Sequence, residues 1–186
     1  MPAATVRIIR VTGATGTSTV DITSTNTVAN AEDKHFSVPT GSANPVRIPA
    51  SGTTNYSYWV TTRLQASTAP SGTIDNLRWY SQTGSGNFGT GVSAVVGQAQ
   101  TYAQANGTIG TTGTQLTTGS HPGLYAAPVD PYVNYPNATQ YLAVTGSINA
   151  NTGQFGNYVV YQLAVTYGAS PGPTGQETFT WLYDET

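Results

Sequence analysis

Apolar and polar residues alternate with a period of two along several stretches of this chain, the spacing of strands half-buried in a sheet. The clearest stretch is residues 157–168, where Val159, Tyr161, Leu163, Val165 and Tyr167 share one face and Tyr158, Val160, Gln162, Ala164 and Thr166 the other. The first face is expected to be core. Residues 177–185 repeat the pattern, with Phe179, Trp181 and Tyr183 opposed to Thr178, Thr180 and Leu182. The intervening Ala169-Ser170-Pro171-Gly172-Pro173-Thr174-Gly175 is rich in turn formers, so the two strands are expected to pair as an antiparallel hairpin.

Upstream, residues 56–67 set Tyr58, Val60, Thr62 and Leu64 against Trp59, Thr61, Arg63 and Gln65, and residues 73–81 place Leu77 and Trp79 together. Ala69-Pro70-Ser71-Gly72 supplies the turn between them. Further strands are expected at 4–11, 18–22, 35–38, 91–98, 101–105 and 140–149. Eight to ten short strands at hairpin spacing predict an all-β protein, an antiparallel β-sandwich of jelly-roll or immunoglobulin-like kind. Residues 56–186 form the expected sandwich body. Residues 1–55, with short weak strands, are read as an N-terminal arm or as outer strands. Residues 106–137 show no convincing strand and read as one long irregular loop, beginning with a Gly/Thr tract and ending Tyr- and Pro-rich. That second half suits an extended path across a surface. No internal repeat holds.

Composition agrees with the pattern. Thr, Val, Tyr and Trp favour pleated sheet, while 12 Tyr, 3 Trp and 4 Phe supply apolar surface that argues against disorder. Only 8% of the 186 residues are charged, against about 25% in ordinary globular chains. The six basic residues, Lys34, Arg7, Arg10, Arg47, Arg63 and Arg78, are scattered singly, which excludes a general phosphate-binding role toward nucleic acid. No run of about 18 apolar residues occurs, so no membrane-spanning helix is expected. The first residues lack a basic region followed by an apolar run, so no secretory leader is expected. With no Cys, disulfides, thiolate metal sites and thiol nucleophiles drop out.

Candidate chemistry is sparse. Val11-Thr12-Gly13-Ala14-Thr15-Gly16 after an apolar run resembles a dinucleotide-binding turn, but such a turn needs a helix N-terminus at the phosphates, and the β-like residues that follow predict a plain Gly-Thr turn. His35 and His121 lack any local nucleophile frame and read as exposed or capping imidazoles. The acidic pairs Glu32/Asp33 and Asp184/Glu185 read as solvated charge or as protection of a strand edge. No catalytic residue, metal ligand or cofactor site is assigned. Trp59, Trp79 and Trp181 are expected in the core. Tyr125, Tyr132, Tyr135 and Tyr141, in or beside the Pro-rich loop, form the candidate partner-binding surface, because Tyr presents a rigid apolar face with a polar tip.

The segment Ile74-Asp75-Asn76-Leu77-Arg78-Trp79-Tyr80, followed by Gly89-Thr90-Gly91-Val92, and the C-terminal Glu177-Thr178-Phe179-Thr180-Trp181-Leu182-Tyr183-Asp184-Glu185 resemble small β-rich structural proteins of tailed bacteriophages and related viruses. The resemblance extends over about the last two thirds of the chain. It implies a non-enzymatic virion protein that decorates or cements a capsid, or sits in a tail. It further implies assembly in the host cytoplasm, the major capsid protein or another virion protein as partner, and a symmetric homo-oligomer, with a trimer fitting a capsid axis. Two other classes compete. A carbohydrate-binding or adhesin module would use the loop tyrosines on a glycan, and a small hydrolase would use a carboxylate such as Asp130 or Asp75.

Overall fold

A computed structural model describes residues 4–37, 44–82 and 86–186. In chain order its strands are β1 (Val6–Thr12), β2 (Ser18–Asp21), β3 (Thr54–Tyr56), β4 (Val60–Ala66), β5 (Thr73–Ser81), β6 (Val92–Ala99), β7 (Gly107–Thr108), β8 (Thr112–Gly113), β9 (Leu142–Val144), β10 (Ile148–Asn149), β11 (Gly153–Thr166) and β12 (Phe179–Glu185). A single helical turn, α1 (Pro131–Asn134), precedes β9. The fold is an all-β antiparallel sandwich.

The larger sheet runs β2-β1-β4-β11, with β6 on the far side of β11. β3 continues the line of β4 along β11, since Tyr56 and Ser93 flank Ala164 on opposite sides. In the smaller sheet β5 is central, with β12 on one side and β9 and β10 on the other. Leu64, Val96, Phe155 and Val159 from the larger sheet meet Ile74, Leu77, Trp79 and Val144 from the smaller one in the main core. Phe179, Trp181 and Tyr183 pack against it, the face their alternation predicts.

Three expectations are corrected. The runs 157–168 and 177–185 do not form a hairpin: β11 is flanked by β4 and β3 on one side and β6 on the other, while β12 pairs with β5 in the opposite sheet. Both edges of β11 are occupied, so the Pro/Gly segment crosses between layers instead of turning back. Second, β11 is buried on both faces. Val159 belongs to the main core, Val160 to a second cluster with Tyr58, Trp59, Ala99 and Leu116, and Tyr167 at the strand's end is 61% exposed. Third, the run 56–67 is broken at residues 57–59, where Ser57 bonds both ways with Leu163 and Tyr58 donates its N–H to Asn30 O at 2.7 Å.

Smaller differences follow the same logic. Residues 101–105 form no strand, and of 35–38 only Ser37 is bridged, to Thr27; Val38 lies outside the described residues. The Gly/Thr tract expected to lack strands folds into the short β7–β8 ribbon. It presses so closely on the sheet that a Cβ on Gly113 would stand 2.4 Å from Ser57 O, and only glycine fits there. The 55/56 boundary expected from sequence falls inside β3, and β1 and β2 are outer strands of the larger sheet. Gly13 and Gly16, at φ +86° and +65°, close the β1–β2 turn with Gly16 N–H on Gly13 O, the plain Gly-Thr turn expected.

Candidate functional site

The loop after β8 acts as an irregular extra strand for β6. Val96 and Val129 exchange backbone bonds at 2.8 and 3.0 Å, Tyr125 donates to Gln98 O at 3.1 Å, and Gln100 donates to Gly123 O at 2.8 Å. Pairing stops where Pro131 arrives, because proline has no N–H for the next carbonyl. The chain then coils into α1, capped by the Asp130 carboxylate, which accepts from Tyr132 N–H at 2.8 Å. This strap covers what would be an open sheet edge.

Its coil decides where the four candidate tyrosines go. Tyr132 drops into a third cluster with Ala94 and Leu163 and is 7% exposed, so it presents no ring to a partner. Its buried hydroxyl has no hydrogen-bond partner among the described residues, and burial, reinforced by the Glu177 and Asp130 carboxylates, pushes its pKa up. Tyr135 is half-buried against the main core and its carbonyl accepts from Ser81 N–H at 2.9 Å. Tyr141 is half-buried, with the Arg78 guanidinium 5.8 Å from its ring centroid. Tyr125 alone of the four stands mostly in solvent, at 55% exposure, its hydroxyl accepting from Asn157 Nδ2 at 3.0 Å.

Two hollows flank β6. One, about 270 Å³, lies beside Tyr132 and is lined by Phe88, Val92, Ala94, Asp130 and Val133. The other, about 450 Å³, lies on the outer face of the larger sheet over Tyr56, Val95 and Ala164, walled by residues 115–118 and by Ala127 and Pro128. Gln162 anchors that wall. It is fully buried, its Nε2 donates to Ser57 O at 2.7 Å and Thr114 O at 2.8 Å, and its Oε1 accepts from Leu116 N–H at 2.6 Å. Trp59 Nε1 also donates to Thr114 O, at 3.0 Å.

His121, read from sequence as exposed or capping, is fully buried 5.0 Å from the Trp59 ring, with neither ring nitrogen hydrogen-bonded among the described residues. Burial lowers its pKa, favouring the neutral ring. His35 is half-buried, its pKa lowered by burial and then by the nearby Arg10 charge. The acidic pairs make contacts between distant segments of the chain. Asp33 accepts from Gly13 N–H at 2.9 Å and Gln104 Nε2 at 3.0 Å, Asp184 pairs with Arg78, and Glu185 accepts from Ala4 N–H at 3.2 Å. Among the described residues no three His, Asp or Glu gather as a metal site.

Sequence reasoning missed Arg10 and Gln162. Arg10 is 1% exposed; among the described residues its Nη1 donates to Val28 O at 3.1 Å, while Nε and Nη2 have no hydrogen-bond partner. Its signal was its place on the same strand face as the apolar Val6 and Ile8. Compared with protein-family models, with curated proteins and with solved structures, the chain matches none.

Proposed function

We propose that this protein is a non-enzymatic structural component of a virion, a capsid decoration or cement protein that binds the major capsid protein as a symmetric homo-oligomer. One observation supports this reading above the others: a chain with only 8% charged residues carries large apolar side chains in solvent, with Ile109 at 64%, Tyr125 at 55%, Val133 at 72% and Tyr167 at 61% exposure. Interface cores are depleted in charge and enriched in aromatic residues, so such a surface fits burial against neighbouring protein. The β-sandwich body, with its long loop tied along β6, is a stiff platform that presents these side chains without disulfides.

Mass spectrometry of purified virions from the genome that encodes this chain is the test. The protein is expected in fixed proportion to the major capsid protein, and its absence from the particles overturns the reading. Excising residues 125–135 is the wrong probe, because Tyr132 is core and Val129 pairs with Val96. Tyr125→Ser and Val133→Ser instead remove exposed apolar contacts while leaving the body folded, and are expected to lower particle occupancy.

A further inference from the structure

We infer that the 450 Å³ hollow on the outer face of the larger sheet is a binding site for a neutral oligosaccharide. The inference is independent of where the protein resides, since it rests on the chemistry of the hollow alone. None of its thirteen lining residues carries a charge. An ionised ligand would find no counter-charge in that lining to offset the water it gives up, so phosphates, sulfated chains and acidic peptides are not its preferred occupants.

What the lining does supply is a mixture of apolar floor and hydroxyl or amide rim. Val95, Ala164 and the half-buried Tyr56 ring form the floor. The side chains of Thr54, Ser93, Gln115 and Thr118 and the Tyr56 hydroxyl line the hollow and make no hydrogen bond among the described residues, so five groups face a ligand or water. A pyranose ring has matching halves: a C–H face that packs on apolar and aromatic surface, and equatorial hydroxyls that both donate and accept. Hydroxyl and amide side chains suit such a ligand because they too work in either direction. The volume falls within the range of about 300–1,000 Å³ typical of small-ligand clefts.

The hollow is also preformed. Gln162 ties Ser57, Thr114 and Leu116 together beneath it, and Thr117 N–H and Oγ1 both bond Ser120 Oγ, at 2.9 and 3.1 Å, which braces the wall. Little ordering is left to offset affinity when a ligand enters.

The experiment is binding of the full chain to an array holding neutral, sialylated and sulfated glycans, followed by titration calorimetry with the best neutral oligosaccharide at low and high salt. Neutral glycans are expected to bind, with a Kd that does not change between 50 mM and 500 mM salt, as an uncharged pair should behave by about the screening argument. Tyr56→Ala is expected to weaken binding at least about tenfold, the loss of one aromatic contact. Because Tyr56 sits in β3, Thr118→Lys on the exposed rim is the second variant; it fills the hollow, is expected to abolish binding, and leaves the melting temperature unchanged. Absence of binding to every neutral glycan, binding confined to acidic glycans, or binding retained in Thr118→Lys overturns the assignment.

Discussion

The two faces of the larger sheet are buried by different means. The inner face meets a second sheet through aliphatic and aromatic side chains, with Leu64, Phe155 and Val159 against Leu77 and Trp79. The outer face is covered by irregular chain from residues 29–31, 44–47 and 103–121, and although Trp59, Leu116 and Val160 pack there, buried polar groups hold the cover in place. Gln162 satisfies three backbone groups at once, and Ser57 bonds across to Leu163 on both backbone atoms. Sheet-on-sheet packing needs only a period-two pattern, since each strand already satisfies its own backbone. A cover of loops brings its unpaired N–H and C=O groups with it, and each must find a partner before it is buried.

Substitutions in each layer should separate these two kinds of burial. The largest effect is expected from Trp79→Ala, which empties the inner core and should cost about 3–5 kcal/mol, read as a drop in the denaturation midpoint of the whole body. Retention of near-normal stability would mean the sheets are not held by this contact. Next comes Gln162→Ala. It leaves Ser57 O and Leu116 N–H without their partner and should cost about 2–4 kcal/mol, at about 1–2 kcal/mol for each of the two groups, the lower part of the range because a cover of loops can relax toward water. Hydrogen exchange should then accelerate in residues 114–121 while β5 and β12 stay protected; uniform acceleration would show that the outer cover is not a separable layer.

A pH titration of stability distinguishes the faces further. His121 lies under the outer cover with its pKa lowered by burial, so below its unfolded value near 6.5 the unfolded chain takes up a proton that the folded one refuses. Stability is therefore fully present above that pH and declines as pH falls toward the folded value. His35, also lowered, adds in the same direction. His121→Phe should flatten the acid limb of the curve, and an unchanged slope would place the titration elsewhere. The smallest effect is expected for Asp184→Asn. The Arg78–Asp184 pair ties β5 to β12 at a site 21% and 48% exposed, and its loss should move stability by less than about 1 kcal/mol in thermal melts.

The inner layer was largely legible in the chain. Leu77 and Trp79 in β5, and Phe179, Trp181 and Tyr183 in β12, face the core as their alternation requires. Strand partners were not legible, because a hairpin between β11 and β12 satisfies the same local pattern as the crossing that occurs; β11 is already taken on both edges. The candidate site fared in between. The Tyr/Pro segment does lie extended across a surface, along β6, but α1 turns Tyr132 inward and leaves Tyr125 outside. The neutral hollow had no signal at all, for Tyr56, Val95, Gln115 and Ala164 are brought together from four separate parts of the chain.

By itself the sequence determined the class of fold, several residues of the inner core, Val159, Leu77 and Trp79 among them, and the scarcity of charge, since side-chain alternation and composition are local properties. Tertiary structure alone decided that β11 is buried on both faces, that His121, Arg10 and Gln162 lie inside, and that an uncharged hollow opens on the outer face. Those features depend on which backbone groups are left over once the sheets have paired, and a linear pattern holds no record of that remainder.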